Sequence, residues 1–282
     1  MLDRRLNAYR ADLAEERLKG LVEAETFTKG TAGRVSVPLA DLRPHPDGNV
    51  GIDSQLLLGE RVQIFDRANG FAWVRAELDG YVGYISEGAI KESSDEAPTH
   101  WVTALRTYRY AEPDMKRPIV DQLSIGSRLR VAGEAEVRGT QYALTDDGHA
   151  VIAAHLAPID TASSDHVAWA ARFLETPYLW GGRSGFGIDC SGLVQMALMM
   201  AGQAAPRDSD MQANDLGSEI GFDERRHGDL VFWKGHVAIL EDAETVIHAN
   251  GHTMTVARET LADAITRIGP VYGRPTKLRR VR

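Results

Sequence analysis

Two stretches of the chain, "SQLLLGERVQIFD" at 54–66 and "DQLSIGSRLRVAG" at 121–133, are variants of one another. Gln55 and Gln122, Gly59 and Gly126, and Arg61 and Arg128 each stand 67 residues apart. Downstream, "DGYVGYISEGAI" (79–90) answers "DGHAVIAAHLAPI" (147–159). Self-similarity at a fixed offset marks a duplicated module. Each copy consists of short β-rich runs broken by Gly, Pro, Asp and Asn, a texture that predicts two small barrels. The acidic "KESSDEAPTH" (91–100), with its Ser and Pro, reads as the linker between them.

Residues 1–30 look different. Leu6, Tyr9, Leu13, Leu18 and Leu21 recur among many charges, which predicts one or two amphipathic helical pieces lying across a larger body. Nothing there resembles a signal segment, and nowhere do about 18 apolar residues run together, so the expectation is a soluble cytoplasmic protein with no membrane partner. A formal charge of -8 leaves no basic surplus to neutralise phosphates, which disfavours a nucleic-acid partner. Hydrophobic residues at 43% suffice for ordinary cores.

From about residue 162 the pattern changes to helices followed by β runs. "DHVAWAARFLETPYLWGG" predicts a helix ending at Pro177 and then a tight turn. The chain's one cysteine, Cys190, follows in "GIDCSGLVQ". It opens a helical pattern in which Cys190, Leu193, Val194, Ala197, Met200 and Ala201 fall on one face and Gly202 stands at the C-terminal cap. A thiol in the first turn of a helix meets unpaired N–H groups and a positive dipole end, which lowers its pKa and can hold an oxyanion. Free cysteine is also among the most buried residue types, so position alone leaves nucleophile and space-filler both open.

A base is available farther along. "GDLVFWKGHVAIL" (228–240) reads as two β runs joined by a Lys-Gly turn, with His236 among small and apolar neighbours. "ETVIHANG" (244–251) places His248 on the next strand, where a polar group can fix the tautomer of an imidazole. His236 and His248 are twelve apart, with no Cys-x-x-Cys or His-x-x-x-His pair, too few ligands for zinc. No metal or cofactor is expected.

Four of these motifs, "TPYLWGGRSGFGIDCSGLVQ", "APRDSDMQ", "GDLVFWKGHVAI" and "VIHANG", together resemble the NlpC/p60 family of cysteine peptidases, over about residues 163–270 and in the family's order. "GYVGYI" is similar to the ending of bacterial SH3-like domains, while its counterpart "GHAVIA" matches weakly. The resemblance implies a multidomain chain: a helical segment (1–30), a first SH3-like β-barrel domain (31–92), a degenerate second one (100–160), and an α+β papain-like domain (162–282). It implies Cys190 as nucleophile, His236 as base and His248 as the orienting third member, the pair resting as thiolate and imidazolium.

By the same resemblance the substrate is a murein peptide cut between γ-D-glutamate and a diamino acid, in wall recycling, with a free N-terminal L-Ala. The ammonium of that L-Ala then falls to Asp208 and Ser209 of "PRDSD" and to Glu60 and Tyr81 of the first module, which match positions that reach over it in such enzymes. Trp180 and Asp189 flank the cleft in the family pattern, and Ser191, next to the nucleophile, is a further candidate for substrate binding. Bland alternatives stand beside these roles: Asp208 or Asp189 as helix caps, Glu60 as a solvated turn residue, Tyr81 as core. At the level of function, an envelope hydrolase acting on intact wall and a non-catalytic binder of murein peptides are the competing expectations.

Overall fold

The computed structural model describes residues 2–92, 97–161 and 165–281. The chain divides into two compact units, Met1–Thr161 and Ala162–Arg282. The middle of the expected 91–100 linker, residues 93–96, lies outside the described residues, as does the boundary at 162–164.

In the first unit the duplication appears as a repeated turn. Gly59 and Gly126 both adopt the left-handed backbone, at φ 82° and 85°. In each copy the glycine N–H bonds back to a valine carbonyl, Gly59 to Val35 at 2.9 Å and Gly126 to Val102 at 2.8 Å. The next residue then closes the turn, Glu60 N–H to Leu57 O and Ser127 N–H to Ser124 O, both at 3.1 Å. Only glycine takes this conformation at no steric cost, which is why the two glycines are in register. Each turn leads into a hairpin. Arg61–Ala68 pairs with Phe71–Ala76 across Asn69-Gly70, and Val131–Val137 pairs with Thr140–Thr145 across Arg138-Gly139. All four loop residues have positive φ, as two-residue hairpin loops require.

The expected barrels take the form of open sheets. The first copy forms a five-stranded sheet in the order Val82–Ser86, Phe71–Ala76, Arg61–Ala68, Thr31–Val35, Ile90–Glu92, with Leu39–Leu42 and Ser54–Leu57 as a separate ladder. The second splits into a five-stranded and a three-stranded sheet. No sheet closes on itself among the described residues; register slips at Ile64/Asp66 and Arg109/Tyr110 bend the strands, and the short end strands pair in separate ladders. Nor are the two copies separate bodies. Leu58 of the first copy packs with Val102, Leu123, Leu129 and Val151 of the second, and the Arg128 N–H bonds to Leu58 O at 2.8 Å.

The helical expectation for residues 1–30 fails. Leu13–Glu15 is a short strand paired in parallel with Thr26–Thr28, joined through a single 3-10 turn at Glu16–Leu18. Long-range partners hold this segment extended. Arg10 reaches Asp66 at 2.7 Å and lies over the Trp73 ring, and the buried Glu15 is held by Arg17 and Arg75. A short helix in water is marginal, and these tertiary bonds outweigh it.

The second unit is built on a six-stranded sheet in the order Ser218–Glu219, Lys277–Arg280, Asp229–Trp233, His236–Leu240, Thr245–Asn250, Thr255–Thr260, every pair antiparallel. The helix Leu261–Tyr272 covers one part of it, seating Leu261, Ala264 and Ile268 against Val231, Trp233, Ala238, Leu240 and Val246. Burying a leucine or isoleucine here contributes roughly 1.5–3 kcal/mol each. The helix Cys190–Met200 is buried on every side, not along one face, so it is a central strut of the unit. The helix expected to reach Pro177 stops at Ala171, because Glu175 turns into the left-handed region and its N–H bonds to Val256 O. Among the described residues no helix is long and apolar enough to cross a membrane.

Candidate active site

Cys190 is the first residue of its helix, and Asp189 caps that helix. The cap is unusually well filled. Asp189 Oδ1 accepts from the Gly192 N–H at 2.7 Å and Oδ2 from the Gly181 N–H at 2.9 Å. Arg207, 1% exposed, clamps the same carboxylate with both terminal nitrogens, at 2.9 and 2.7 Å. It also donates to Ser191 Oγ at 3.0 Å and to Gly182 O at 3.3 Å. One buried arginine therefore ties together the cap, the helix start and the glycine turn. Gly192 is required for the same closeness: a Cβ there would stand 2.4 Å from Gly182 O.

The helix packs on the strand His236–Leu240, and the Val237 N–H, one residue past His236, favours the Cys190 thiolate. His236 Nε2 is 2.9 Å from His248 Nδ1, and the rings meet edge to face with centroids 5.0 Å apart. The partly buried His236 also has the Trp233 ring 5.7 Å away. His248 itself is 1% exposed, and its Nε2 lies 2.8 Å from Glu259 Oε1. Glu259 in turn is paired with Arg267 of the helix Leu261–Tyr272.

Electrostatics corrects one expectation. Burial pushes the Cys190 thiol up to about 12, with the Asp189 carboxylate adding to it, while the Val237 and Ser191 N–H groups and Arg207 work the other way. Burial likewise pushes His236 down to about 3, the neighbouring His248 acting in the same sense. The helix terminus does favour a thiolate, as its position predicts, but desolvation outweighs it, so the pair rests as thiol and imidazole. Moving the proton from Cys190 to His236 leaves the net charge of the site unchanged. The cost of burial therefore opposes separate ionisation far more than it opposes transfer between the two.

The remaining candidates fall into four groups. Asp189 and Ser191 are bound up in the cap, so the capping alternative describes Asp189. Asp208 stands at the N-cap of the helix Ser209–Asp215 but its side chain makes no capping bond, and Ser209 opens that helix, both half-buried next to Arg207. Trp180 is 69% exposed. Glu60 and Tyr81 belong to the first unit. Glu60 is buried, not solvated, with Oε2 accepting from the Leu57 N–H at 3.1 Å, and Tyr81 is buried with its N–H on Asp79 Oδ1.

Three residues of the site are absent from the sequence reading. Arg207 and Glu259 look like ordinary surface charges in the sequence. Tyr178, in "TPYLWGG", is half-buried; burial raises its phenol, and the nearby Cys190 and Asp189 oppose its ionisation further. Among the described residues no three His, Cys, Asp or Glu side chains gather as a metal site.

A family model described as the NlpC/P60 family matches residues 175–267, and one described as the bacterial dipeptidyl-peptidase Sh3 domain matches residues 42–90. The chain is similar to dipeptidyl-peptidase 6 of Lysinibacillus sphaericus, 29% identical over 266 residues, which cover 83% of this chain and 97% of that protein. It is also similar to a gamma-D-glutamyl-L-lysine dipeptidyl-peptidase of Bacillus cereus, 28% identical over 70% of this chain and 67% of that one. The Bacillus subtilis protein of the same name is 34% identical, over 36% of this chain and 37% of that one. Among solved structures, an NlpC/P60 family protein from Bacillus cereus shares the fold, with a TM-score of 0.75 and 22% identity, covering 89% of this chain and 99% of that one.

Proposed function

We propose that this chain, whose NlpC/P60 domain makes it a cysteine peptidase and whose β unit carries a bacterial SH3 domain, hydrolyses the γ-D-glutamyl–diamino acid bond of murein peptides with a free N-terminal L-Ala. The observation that carries this reading is the buried Cys190 at a helix N-terminus, packed against the strand that presents the hydrogen-bonded pair His236 and His248. Two relatives are named for the γ-D-glutamyl-L-lysine bond and for release of a dipeptide. An enzyme that releases dipeptides has to locate the amino end of its substrate, and an ammonium is the group to recognise there. We assign that recognition to Asp208 and Ser209, beside the nucleophile helix. A carboxylate that pairs with the ammonium gives discrimination, because a substrate lacking that group forfeits the ion pair. We read the second β module as a degenerate SH3-like domain built on the same turn, and the site of action as the cytoplasm, where released wall peptides would be recycled.

In this mechanism His236 takes the proton from the Cys190 thiol as the sulfur attacks the γ-carbonyl of D-glutamate. The tetrahedral oxyanion is held by the Cys190 N–H at the helix start. His236 then donates its proton to the departing amine of the diamino acid, leaving a thioester between Cys190 and L-Ala-γ-D-Glu. Water, deprotonated by His236, hydrolyses that thioester and restores the thiol. No metal or cofactor takes part. Cys190→Ala is expected to abolish release of L-Ala-γ-D-Glu from a murein tripeptide while leaving the circular dichroism spectrum and melting temperature in place. Turnover surviving in that variant would overturn the assignment.

A further inference from the structure

We propose that Glu259, held by Arg267, is a positioning residue that fixes the tautomers of His248 and His236 so that the imidazole nitrogen left for Cys190 is the unprotonated one. This rests on the reading of Cys190, His236 and His248 as the catalytic set and adds a fourth and fifth member to it.

The geometry is a line of contacts. His236 Nε2 faces His248 Nδ1 at 2.9 Å, and His248 Nε2 faces Glu259 Oε1 at 2.8 Å. The latter contact is an ion-pair distance that does not meet hydrogen-bond geometry, so the buried His248 Nε2 has a carboxylate oxygen within reach and no hydrogen bond made to it. The sheet register explains why these residues meet. His248 pairs with Ala257 and Val246 pairs with Glu259, so Glu259 sits diagonally from His248 on the same face. Arg267 reaches the same carboxylate from the helix that follows.

A neutral histidine carries one N–H, so each contact in the line determines the next. An ionised Glu259 can only accept. It therefore draws the His248 proton to Nε2 and leaves His248 Nδ1 as an acceptor. That acceptor draws the His236 proton to Nε2, and His236 Nδ1 keeps its lone pair for the thiol. Glu259 stays ionised throughout: burial works to raise its carboxyl, but the close His248 ring and the Arg267 guanidinium outweigh it and hold it down at about 2. Arg267 has a second effect, since its charge opposes protonation of His236 while that of Glu259 favours it. The pair thus presents direction without a large net charge. Without Glu259, His248 is free to carry its proton on Nδ1. It then donates to His236 Nε2, and the His236 proton moves to the nitrogen that should act as base.

The experiment is long-range proton–nitrogen correlation NMR of the histidine rings in the full-length chain, with and without Glu259→Ala, alongside the rate of Cys190 alkylation by iodoacetamide and the kinetics on murein tripeptide. Wild type is expected to show His236 and His248 protonated on Nε2. Glu259→Ala is expected to shift His236 toward Nδ1–H. It should slow alkylation and lower kcat by at least about 10-fold, as loss of an outer-shell partner does, toward the roughly 10⁴-fold that a reversed tautomer costs a catalytic triad. KM should hold. Glu259→Gln, which keeps an acceptor oxygen in place, is expected to fall between the two and covers the case in which the alanine variant does not fold. A wild-type His236 protonated on Nδ1, or variants that lose activity with unchanged tautomers, would overturn the proposal. The tautomers and the alkylation rate need no substrate, so they test Glu259 even if the peptide assignment fails.

Discussion

Both oxygens of the Asp189 carboxylate are occupied by protein donors, and that one residue explains much of how Cys190 is held. The thiol is fixed by a cap that is itself fixed by a buried arginine, so its position depends on backbone and not on a mobile side chain. The charge state of the pair follows from burial. Because His236 is pushed down and Cys190 up, the site carrying one proton between them persists over a wide range of pH. Activity is lost on the acid side only when a second proton binds, as pH falls through the lowered His236 value. It is lost on the alkaline side as pH rises through the raised thiol value. The acid limb of kcat/KM is therefore expected below the ordinary imidazole value of 6.5 and the alkaline limb above the ordinary thiol value of 9.0. An acid limb above the imidazole value would contradict this electrostatic account. Cys190, His236 and His248 were legible in the sequence because their residue types are scarce and sit beside telling glycines and strand patterns. Glu259 and Arg207 were not, because an acidic residue on an alternating strand and an arginine after a proline look like solvated charges until the fold brings them to a partner.

At the scale of elements, the central constraint is the junction of the Cys190 helix with the glycine turn before it. Gly192 abuts Gly182 O, and Asp189 N–H bonds to that same carbonyl at 3.2 Å. Gly192→Ala is expected to cost roughly 1–3 kcal/mol, the range for overpacking a filled interior, and to lower kcat as the helix start moves. Denaturant melts and steady-state kinetics on the variant check both; wild-type stability together with wild-type kcat would show that the junction has slack. Periodicity located the helix Cys190–Met200 and the strands around His236 and His248, but it misjudged the N-terminal segment. There the leucine spacing suits a helix, whereas Arg10 and Glu15 are held extended by Asp66 and Arg75, more than fifty residues away. Such partners are invisible to a local pattern.

Across the whole molecule, the repeat was readable because its glycines must be glycines, and the matching turns at Gly59 and Gly126 confirm it at the level of single hydrogen bonds. Sheet closure was not readable, since it depends on where strands slip register. Nor was the fusion of the two copies, which depends on Leu58 entering the core of the second. For function, the NlpC/P60 and SH3 matches place a thiol peptidase and a β unit on one chain, and what remains distinctive in the account is a substrate counted from its amino end. The most direct test is to incubate the enzyme with L-Ala-γ-D-Glu-diamino acid tripeptide and with its N-acetyl derivative, and to follow the products by mass spectrometry. The account predicts L-Ala-γ-D-Glu and free diamino acid from the first peptide and no cleavage of the second. Equal rates on the two would contradict it.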